Sequence, residues 1–549
     1  MPLQKNQVLT LQVERLSSDG SGVAHSPEGE TVFIPGAAPG DEARVRIVKD
    51  CKRYAFGILD EVLKPSPDRI PVDCAVAGPC GGCSLRHLDY AAELRAKQEN
   101  VADAFARIGG LDVPVLPIVG SPEIDRYRNK VQFPVGTDKA GRPCIGFYAG
   151  RTHRIVPCPD CRLQPGVLNE IGNTLCAFFA EKGIHPYNEE TGKGLVRHIF
   201  LRRGAHSGQI MVCLVCTRAK LPSAEELCTR LKEAFPDIVT ILLNVNAKNT
   251  NVILGSETHT LYGQGYIEDT LCGVPVQLGP LSFYQVNTLA AEQLYGIAAE
   301  YAQLTPDDLL LDLYCGMGTI GLSMADHCRE LVGVEIVPEA IESAKANAAR
   351  MGAAVSAKSR FFCADAGQAA AQLAAEGLHP DVVMLDPPRK GCDEATLSAV
   401  VRMAPRRVVY VSCNPATAAR DAAWLEQNGY HTEKVQPVDL FPRTKHVETV
   451  CLLSKLNVKH HIEVEITMDE LDLTAAESKA TYDEIKAYVL EKFGFKVSQL
   501  YIAQIKRKCG IIERKNYNQS KKEDAKVPKC PPEKEAAIMD ALKHFQMIP

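Results

Sequence analysis

The sequence predicts a multidomain α/β chain. A Rossmann-like domain is joined to an N-terminal OB-like β-barrel, an α+β middle domain and a helical C-terminal extension. Three observations carry this. The chain has 549 residues, 46% of them hydrophobic and 23% charged. That is an ordinary globular balance in a length that calls for several cores. From residue 271 to about 455 strand-like and helix-like segments alternate, the signature of βαβ units and a parallel sheet. Before that stretch short alternating strands dominate, and after it the chain turns helical and charge-rich.

Residues 1–65 read as the barrel. LTLQVERL, GETVFIPG and DEARVRIVK alternate apolar and polar residues between Gly/Pro turns, the pattern of short barrel strands. Arg44, Arg46, Lys49, Lys52 and Arg53 lie along this pattern, as a solvated face or a phosphate-contacting one. Residues 66–270 form the middle domain. It opens with a Pro/Gly/Cys-rich loop over 66–90 and the helix AAELRAKQENVADAFARIGG, ending in a glycine stop signal. The strands KVQFPVG, IFLRRG, QIMVCLVC and VTILLNVN follow. Residues 271–456 are the doubly wound domain, and 457–549 an appended helical domain. Its KVSQLYIAQIKRKCGII segment fits a helix pair of helix-turn-helix type. Lys506, Lys508, Lys515, Lys521 and Lys522 suggest nucleic-acid contact, but nearby acids almost balance them and favour a solvated face. The role of this extension is not legible.

Twenty cysteines stand out. The N-terminus lacks a basic segment followed by an apolar one, and no run of 18 apolar residues occurs. A cytoplasmic protein with no membrane segment is expected, its thiols reduced, metal-bound or catalytic. Most, such as Cys213 and Cys216 in QIMVCLVC, belong to packing. The net charge of −5 does not advertise nucleic acid, although a whole-chain sum hides local distribution. No obligate protein partner is evident, so a monomer is expected.

A cofactor crevice is legible at four successive strand tips. In LLLDLYCGMGTIGLSMA, Gly316 and Gly318 follow a strand and let a ligand approach the backbone. Glu335 ends the next strand, where an acid holds ribose hydroxyls. Asp365 stands at the tip of the third and Asp386, in VVMLDPPRKG, at the tip of the fourth. Any one of these acids is as readily a helix cap; four together point to one crevice for S-adenosylmethionine or a dinucleotide. GMG is followed by Thr319 without a third glycine, which favours S-adenosylmethionine because no pyrophosphate needs a cradle.

VVYVSCNPATAARD places Cys413 at the end of a fifth strand and before a helix, whose N-terminal partial charge favours thiolate. RTKHVETVCLL sets His446 and Glu448 before a last strand, with Glu448 a candidate general base. In the Pro/Gly/Cys-rich loop, Cys74, Cys80 and Cys83 form C-x5-C-x2-C. Spacing alone allows zinc or an iron–sulfur cluster, with a fourth ligand from elsewhere.

FYQVN (283–287), DLYCGMGT (312–319), VGVE (332–335), LDPPRKG (385–391), SCNP (412–415) and HVE (446–448) together resemble the RNA (uracil-C5)-methyltransferase family, most closely its 23S ribosomal RNA members, over residues 5–455. Thr319 stands where the family often has Asn. The resemblance implies S-adenosylmethionine contacts from Gln285, Tyr314, Glu335 and Asp386, joined by Asp365 through its position. It implies Cys413 as the nucleophile that adds to uracil C6 and Glu448 as the base that removes the C5 proton. It further implies a [4Fe–4S] cluster on Cys74, Cys80, Cys83 and Cys161, with Cys158 in reserve. The barrel resembles a TRAM module, and Arg126, Arg128 and Lys130 are candidate phosphate contacts. Two alternatives stay open: an amino-methyltransferase acting on a nucleic-acid base, for which LDPPRKG is superficially suited, and a non-catalytic RNA-binding ribosome-assembly protein.

Overall fold

The computed structural model describes residues 3–150, 152–248, 250–456, 482–509, 530–545 and 547–548. The chain divides into two compact units, Met1–Asn457 and Val458–Pro549.

At the start of the first unit, Val8–Leu16, Ser21–His25, Thr31–Pro35, Glu42–Asp50 and Tyr54–Lys64 close into a barrel. Period-two alternation explains it: Leu11, Val13, Val32, Ile34, Val45 and Ile47 turn inward and are buried, and closure leaves no free edge. A helix Tyr90–Ala104 is capped by Asp89, which accepts from Ala92 N, and ends through a π-helical turn at Gly110 in the left-handed region.

The middle sheet has seven strands, ordered Glu257–Tyr262, Ile238–Val245, Ile210–Cys216, Val196–Arg203, Lys130–Thr137, Pro143–Tyr148 and Ile155–Pro157. Only Ile210–Cys216 and Ile238–Val245 pair in parallel, and the helix Ala224–Ala234 connects them. Cys213 and Cys216 are buried in this sheet, as their apolar setting predicts.

Seven strands build the last sheet of the unit: β1 Leu309–Leu313, β2 Glu330–Glu335, β3 Ser359–Cys363, β4 Val382–Leu385, β5 Arg407–Ser412, β6 Tyr430–Val438 and β7 Glu448–Lys455. Their order is 3-2-1-4-5-7-6, parallel except for β7. The winding reverses between β1 and β4, so the crevice outside the carboxyl ends of these strands is the expected ligand site. The predicted Rossmann-like fold is therefore present.

The second unit packs helices Tyr482–Phe493, Gln499–Lys508 and Pro532–His544 around Ile485, Val489, Ile502, Ile505, Ile538 and Leu542. The segment KVSQLYIAQIKRKCGII, expected to hold a helix pair, carries a single helix among its described residues, Gln499–Lys508, and Gly494, at φ 74°, ends the helix that precedes the segment. Lys506 is buried and Lys508 pairs with Glu535. Lys515, Lys521 and Lys522 lie outside the described residues. Among the described residues no helix is long and apolar enough to cross a membrane.

Candidate active site

The turn after β1 is shaped by left-handed backbone at Tyr314, Gly316 and Gly318, with φ of 66°, 55° and 79°. Glu335 ties this turn to β2. It accepts from Gly316 N at 3.1 Å through Oε2, and from Ile336 N and Val337 N at 2.9 and 3.0 Å through Oε1. Ile336 and Val337, just beyond it, are 62% and 46% exposed, an apolar lip suited to a flat ring. Asp365 follows β3 and accepts from Gly367 N and Gln368 N as a helix cap. The capping role weighed for single acids thus holds for Asp365. Tyr314 turns its hydroxyl to Thr396 Oγ1 at 3.4 Å.

Behind the turn, the buried Tyr295, Asn129 and Arg202 surround the half-buried Gln285 and its segment. Gln285 hydrogen-bonds the Tyr295 hydroxyl, which also reaches Thr319 Oγ1 at 3.3 Å and feels the charge of Asp386. Asn129 Nδ2 donates to the Gln285 carbonyl at 2.7 Å and so ties the FYQVN segment to the middle sheet. Arg202, buried in that sheet, donates to the carbonyls of Gly279 and Ser282 at 3.0 and 2.7 Å. The loop held this way presents Phe283 with 72% of its surface exposed.

Three titratable groups of the crevice are displaced. Burial pushes the Asp386 carboxyl up to about 7. Asp312, on β1, is pushed up to about 8 by burial, although Gly321 N donates to its Oδ2 at 3.0 Å; its Oδ1 has no partner. Glu448 is raised well above the ordinary carboxylate range by burial and by Asp386, with Arg389 opposing. The sequence reading passed over Asp312, Tyr295 and Arg202. For Asp312 the signal was available, an acid inside the apolar run LLLDL; the other two owe their place to long-range packing.

Cys413 follows β5 and faces the same groups. Burial raises its thiol pKa, as do Glu448 and Asp386, while Arg389 lowers it by charge and by a hydrogen bond. This corrects one expectation. The helix Pro415–Gln427, capped by Asn414, starts beside Cys413, yet burial first, and then Glu448 and Asp386, hold the thiol above its ordinary value in the free protein. Arg389 is the counterweight. Asn414 Nδ2 donates to its carbonyl at 2.9 Å, and the turn closes at Gly391, where φ is 78° and a Cβ would stand 2.6 Å from Asp421 Oδ2. The glycine of LDPPRKG is thereby explained by packing. Glu448 is 5% exposed, not a solvated strand-start carboxylate.

A second feature lies in the middle region. Cys74, Cys80, Cys83, Cys158 and Cys161 line one cavity of about 310 Å³ with Arg86, Arg128 and Lys130. A thiol hydrogen bond from Cys158 lowers the Cys161 pKa, aided by Leu163 N and Gln164 N, and raises that of Cys158. No three His, Cys, Asp or Glu among the described residues converge on a single metal ion. Arg126 is bidentate to Asp160 at 2.6 and 2.9 Å and donates to the carbonyls of Cys161 and Gln164. It therefore holds the Cys161 turn rather than offering its guanidinium to phosphate. Burial and the neighbouring Arg202 and Arg128 lower Lys130 to about 8.

On the barrel, Phe33, Tyr54 and Phe56 meet with ring centroids 5.6 to 5.8 Å apart. Of the basic residues predicted there, Arg44 and Arg46 pair with Glu61 and Asp60 at 2.7 Å. Lys49, Lys52 and Arg53 are exposed and, among the described residues, in no ion pair.

Residues 276–456 match the tRNA (uracil-5-)-methyltransferase family model and residues 2–59 the TRAM domain. An uncharacterised RNA methyltransferase of Halalkalibacterium halodurans is 44% identical over 457 residues, 83% of this chain and 99% of that protein. A similarly described protein of Clostridium tetani is 41% identical over 454 residues, 83% of this chain and 98% of that one. Among solved structures, the Pyrococcus abyssi tRNA (uracil-54, C5)-methyltransferase in complex with S-adenosyl-L-homocysteine superposes with a TM-score of 0.65. It is 28% identical and spans 81% of this chain and 100% of that one.

Proposed function

The chain belongs to the S-adenosylmethionine-dependent RNA (uracil-5-)-methyltransferases, and on that premise we propose that it methylates C5 of a uridine in 23S ribosomal RNA, giving 5-methyluridine, through covalent addition of Cys413. The observation that carries this is the meeting of Cys413, Glu448, Asp386 and Arg389 at one set of strand tips. An amino-methyltransferase has no use for a thiol there.

S-adenosylmethionine, when bound, supplies an electrophilic methyl group on a sulfonium. Gln285, Tyr314, Gly316, Glu335, Asp365 and Asp386 are the residues proposed to hold it, with Ile336 and Val337 packing its adenine. Uracil C5 is a weak nucleophile. The Cys413 thiolate forms a bond to C6, and the electron pair of the C5–C6 double bond moves toward O4 as an enolate. The enolate carbon C5 takes the methyl group, whose bond to the sulfonium sulfur breaks to leave a neutral thioether. Glu448 then removes the C5 proton, the double bond reforms, and the C6–S bond breaks to return the thiolate. Arg389 offsets the two carboxyls that oppose ionisation of Cys413. Exposed Phe283 offers a stacking face to a base drawn out of its helix.

The five-thiol cavity suits a [4Fe–4S] cluster on Cys74, Cys80, Cys83 and Cys161. Such a cluster is held by four thiolates, and Cys158, lining the same cavity, is the reserve for Cys161. The methyl transfer needs no electron from such a group; holding the surrounding loops is the role assigned to it. The proposed domains are 1–65, 66–270, 271–456 and 457–549, supported by the barrel end at Lys64 and the family match. The barrel offers RNA the Phe33–Tyr54–Phe56 cluster beside Lys49, Lys52 and Arg53, aromatic faces for bases and free cations for phosphates.

The P. abyssi likeness favours a second reading, uridine 54 of transfer RNA. Mass-spectrometric mapping of 5-methyluridine in both RNAs, from cells with and without the gene, decides between them. Loss confined to transfer RNA would overturn the ribosomal assignment.

A further inference from the structure

The hairpin connection between β6 and β7, residues 439–447, leads directly into Glu448, whose backbone pairs with Val438 across the hairpin base. Its polar groups are tied down one after another by segments far away in sequence. Asn287 Nδ2 donates to the Leu440 carbonyl at 3.1 Å. Lys97 Nζ donates to the Phe441 carbonyl at 3.1 Å and to Asp439 Oδ1 at 2.7 Å. The Tyr127 hydroxyl donates to the Pro442 carbonyl at 3.0 Å. Arg443 N donates to Glu93 Oε1 at 2.7 Å, and Leu85 N to the Arg443 carbonyl at 3.1 Å.

The clamp is charged and dry. Lys97, Glu93 and Asp439 are 3%, 0% and 0% exposed, and Lys97 also donates to Glu93 Oε1 at 2.8 Å. Tyr90 donates to the other oxygen of Asp439 at 2.9 Å. Buried charges hold only when mutually paired, and removing one partner strands the rest. Within the clamp Arg443 has a φ of 68°, a conformation that a non-glycine residue keeps only where its surroundings impose it. A connection needed merely to join two strands requires neither strain nor the four buried charges of Glu93, Lys97, Asp439 and Arg443. A connection that must hold one carboxyl in a fixed place has use for both.

We propose that Lys97 is a positioning residue for Glu448. With Glu93 and Tyr127 it locks the connection 439–447 in the conformation that presents the Glu448 carboxyl to the C5 proton. The proposal rests on Glu448 being the base, and it concerns only the step after methyl transfer. Thiol addition and methyl transfer should survive loss of the clamp, whereas proton removal should stall and leave methylated RNA joined to Cys413.

The test uses the full chain, ordinary uridine RNA and 5-fluorouridine RNA. Lys97→Gln should form the 5-fluorouridine adduct as the parent does. With uridine RNA its turnover should fall about 10- to 100-fold, and a denaturant-stable, methylated protein–RNA adduct should accumulate as it does in Glu448→Gln. Should Lys97→Gln not fold, Tyr127→Phe, which removes a single hydroxyl, decides the matter by a smaller rise in trapped adduct. A folded Lys97→Gln, or failing that Tyr127→Phe, that turns over at the parental rate without trapped adduct overturns the proposal while Glu448→Gln still traps. If Glu448→Gln itself traps nothing, the assignment of the base falls and takes this proposal with it.

Discussion

The strand-tip crevice and the clamp beneath the β6–β7 connection differ in how far their buried charges are mutually paired. In the crevice they are left short of partners: Asp312 Oδ1 has none, and Asp386 and Glu448 are pushed toward their protonated forms. In the clamp, Lys97 alone reaches Glu93, Asp439 and the Phe441 carbonyl. Groups held ready for a ligand or a proton stay under-satisfied and carry displaced pKa values. Groups whose task is placement are charge-paired with one another, although Glu93 Oε2 and Arg443 Nε lack hydrogen-bond partners and burial raises the Glu93 carboxyl as well. The difference teaches where to look for chemistry and where for support.

The sharpest break between the two regions is expected at Cys413. Cys413→Ala should lower methyl transfer more than about 1,000-fold and abolish the 5-fluorouridine adduct, read by gel shift under denaturing conditions. A variant that keeps its activity would move the chemistry elsewhere. Next comes Arg389→Ala, which removes the cation opposing Asp386 and Glu448. We expect the single-turnover rate to drop about 10- to 100-fold and its pH profile to shift upward, with Arg389→Lys recovering part of the rate. For the parent, the rate should climb with pH, because Glu448 is raised well above the ordinary carboxylate range and must lose its proton to act as the base.

A third test concerns RNA grip. The double change Phe33→Ala with Tyr54→Ala should weaken RNA binding by about 1–3 kcal/mol per stacked base, seen in KM more than in kcat. The smallest effect is on stability. Asp312 has a folded pKa near 8, above its ordinary value of 3.8. The native state therefore binds the extra proton between those values, and stability falls as pH climbs through that window. Asp312→Asn should flatten this slope and raise Tm at about pH 8 by roughly 1–2 °C. A slope that is unchanged in the variant would remove Asp312 from the account.

Much of the crevice was legible because each piece is local. A strand followed by GMG, an acid at the next strand tip and SCNP before a helix each declare themselves within ten residues, and βαβ topology then brings their ends together. The same logic misjudged charge. Arg126 reads as a phosphate contact until Asp160 is seen beside it. Cys413 reads as acidic until it is seen to be partly buried, with Glu448 and Asp386, 35 residues after it and 27 before it in sequence, beside it.

By itself the sequence determined the barrel, the doubly wound sheet and the candidate nucleophile, base and cofactor acids. Period-two and βαβ patterns are local, and functional motifs sit at strand ends. Only the tertiary structure decided which cations are free, which carboxyls are displaced, that a fifth thiol joins the other four, and that Lys97 grips a connection more than 340 residues away. Electrostatics and hydrogen bonding depend on distance in space and on exclusion of water, and neither is written in the order of residues.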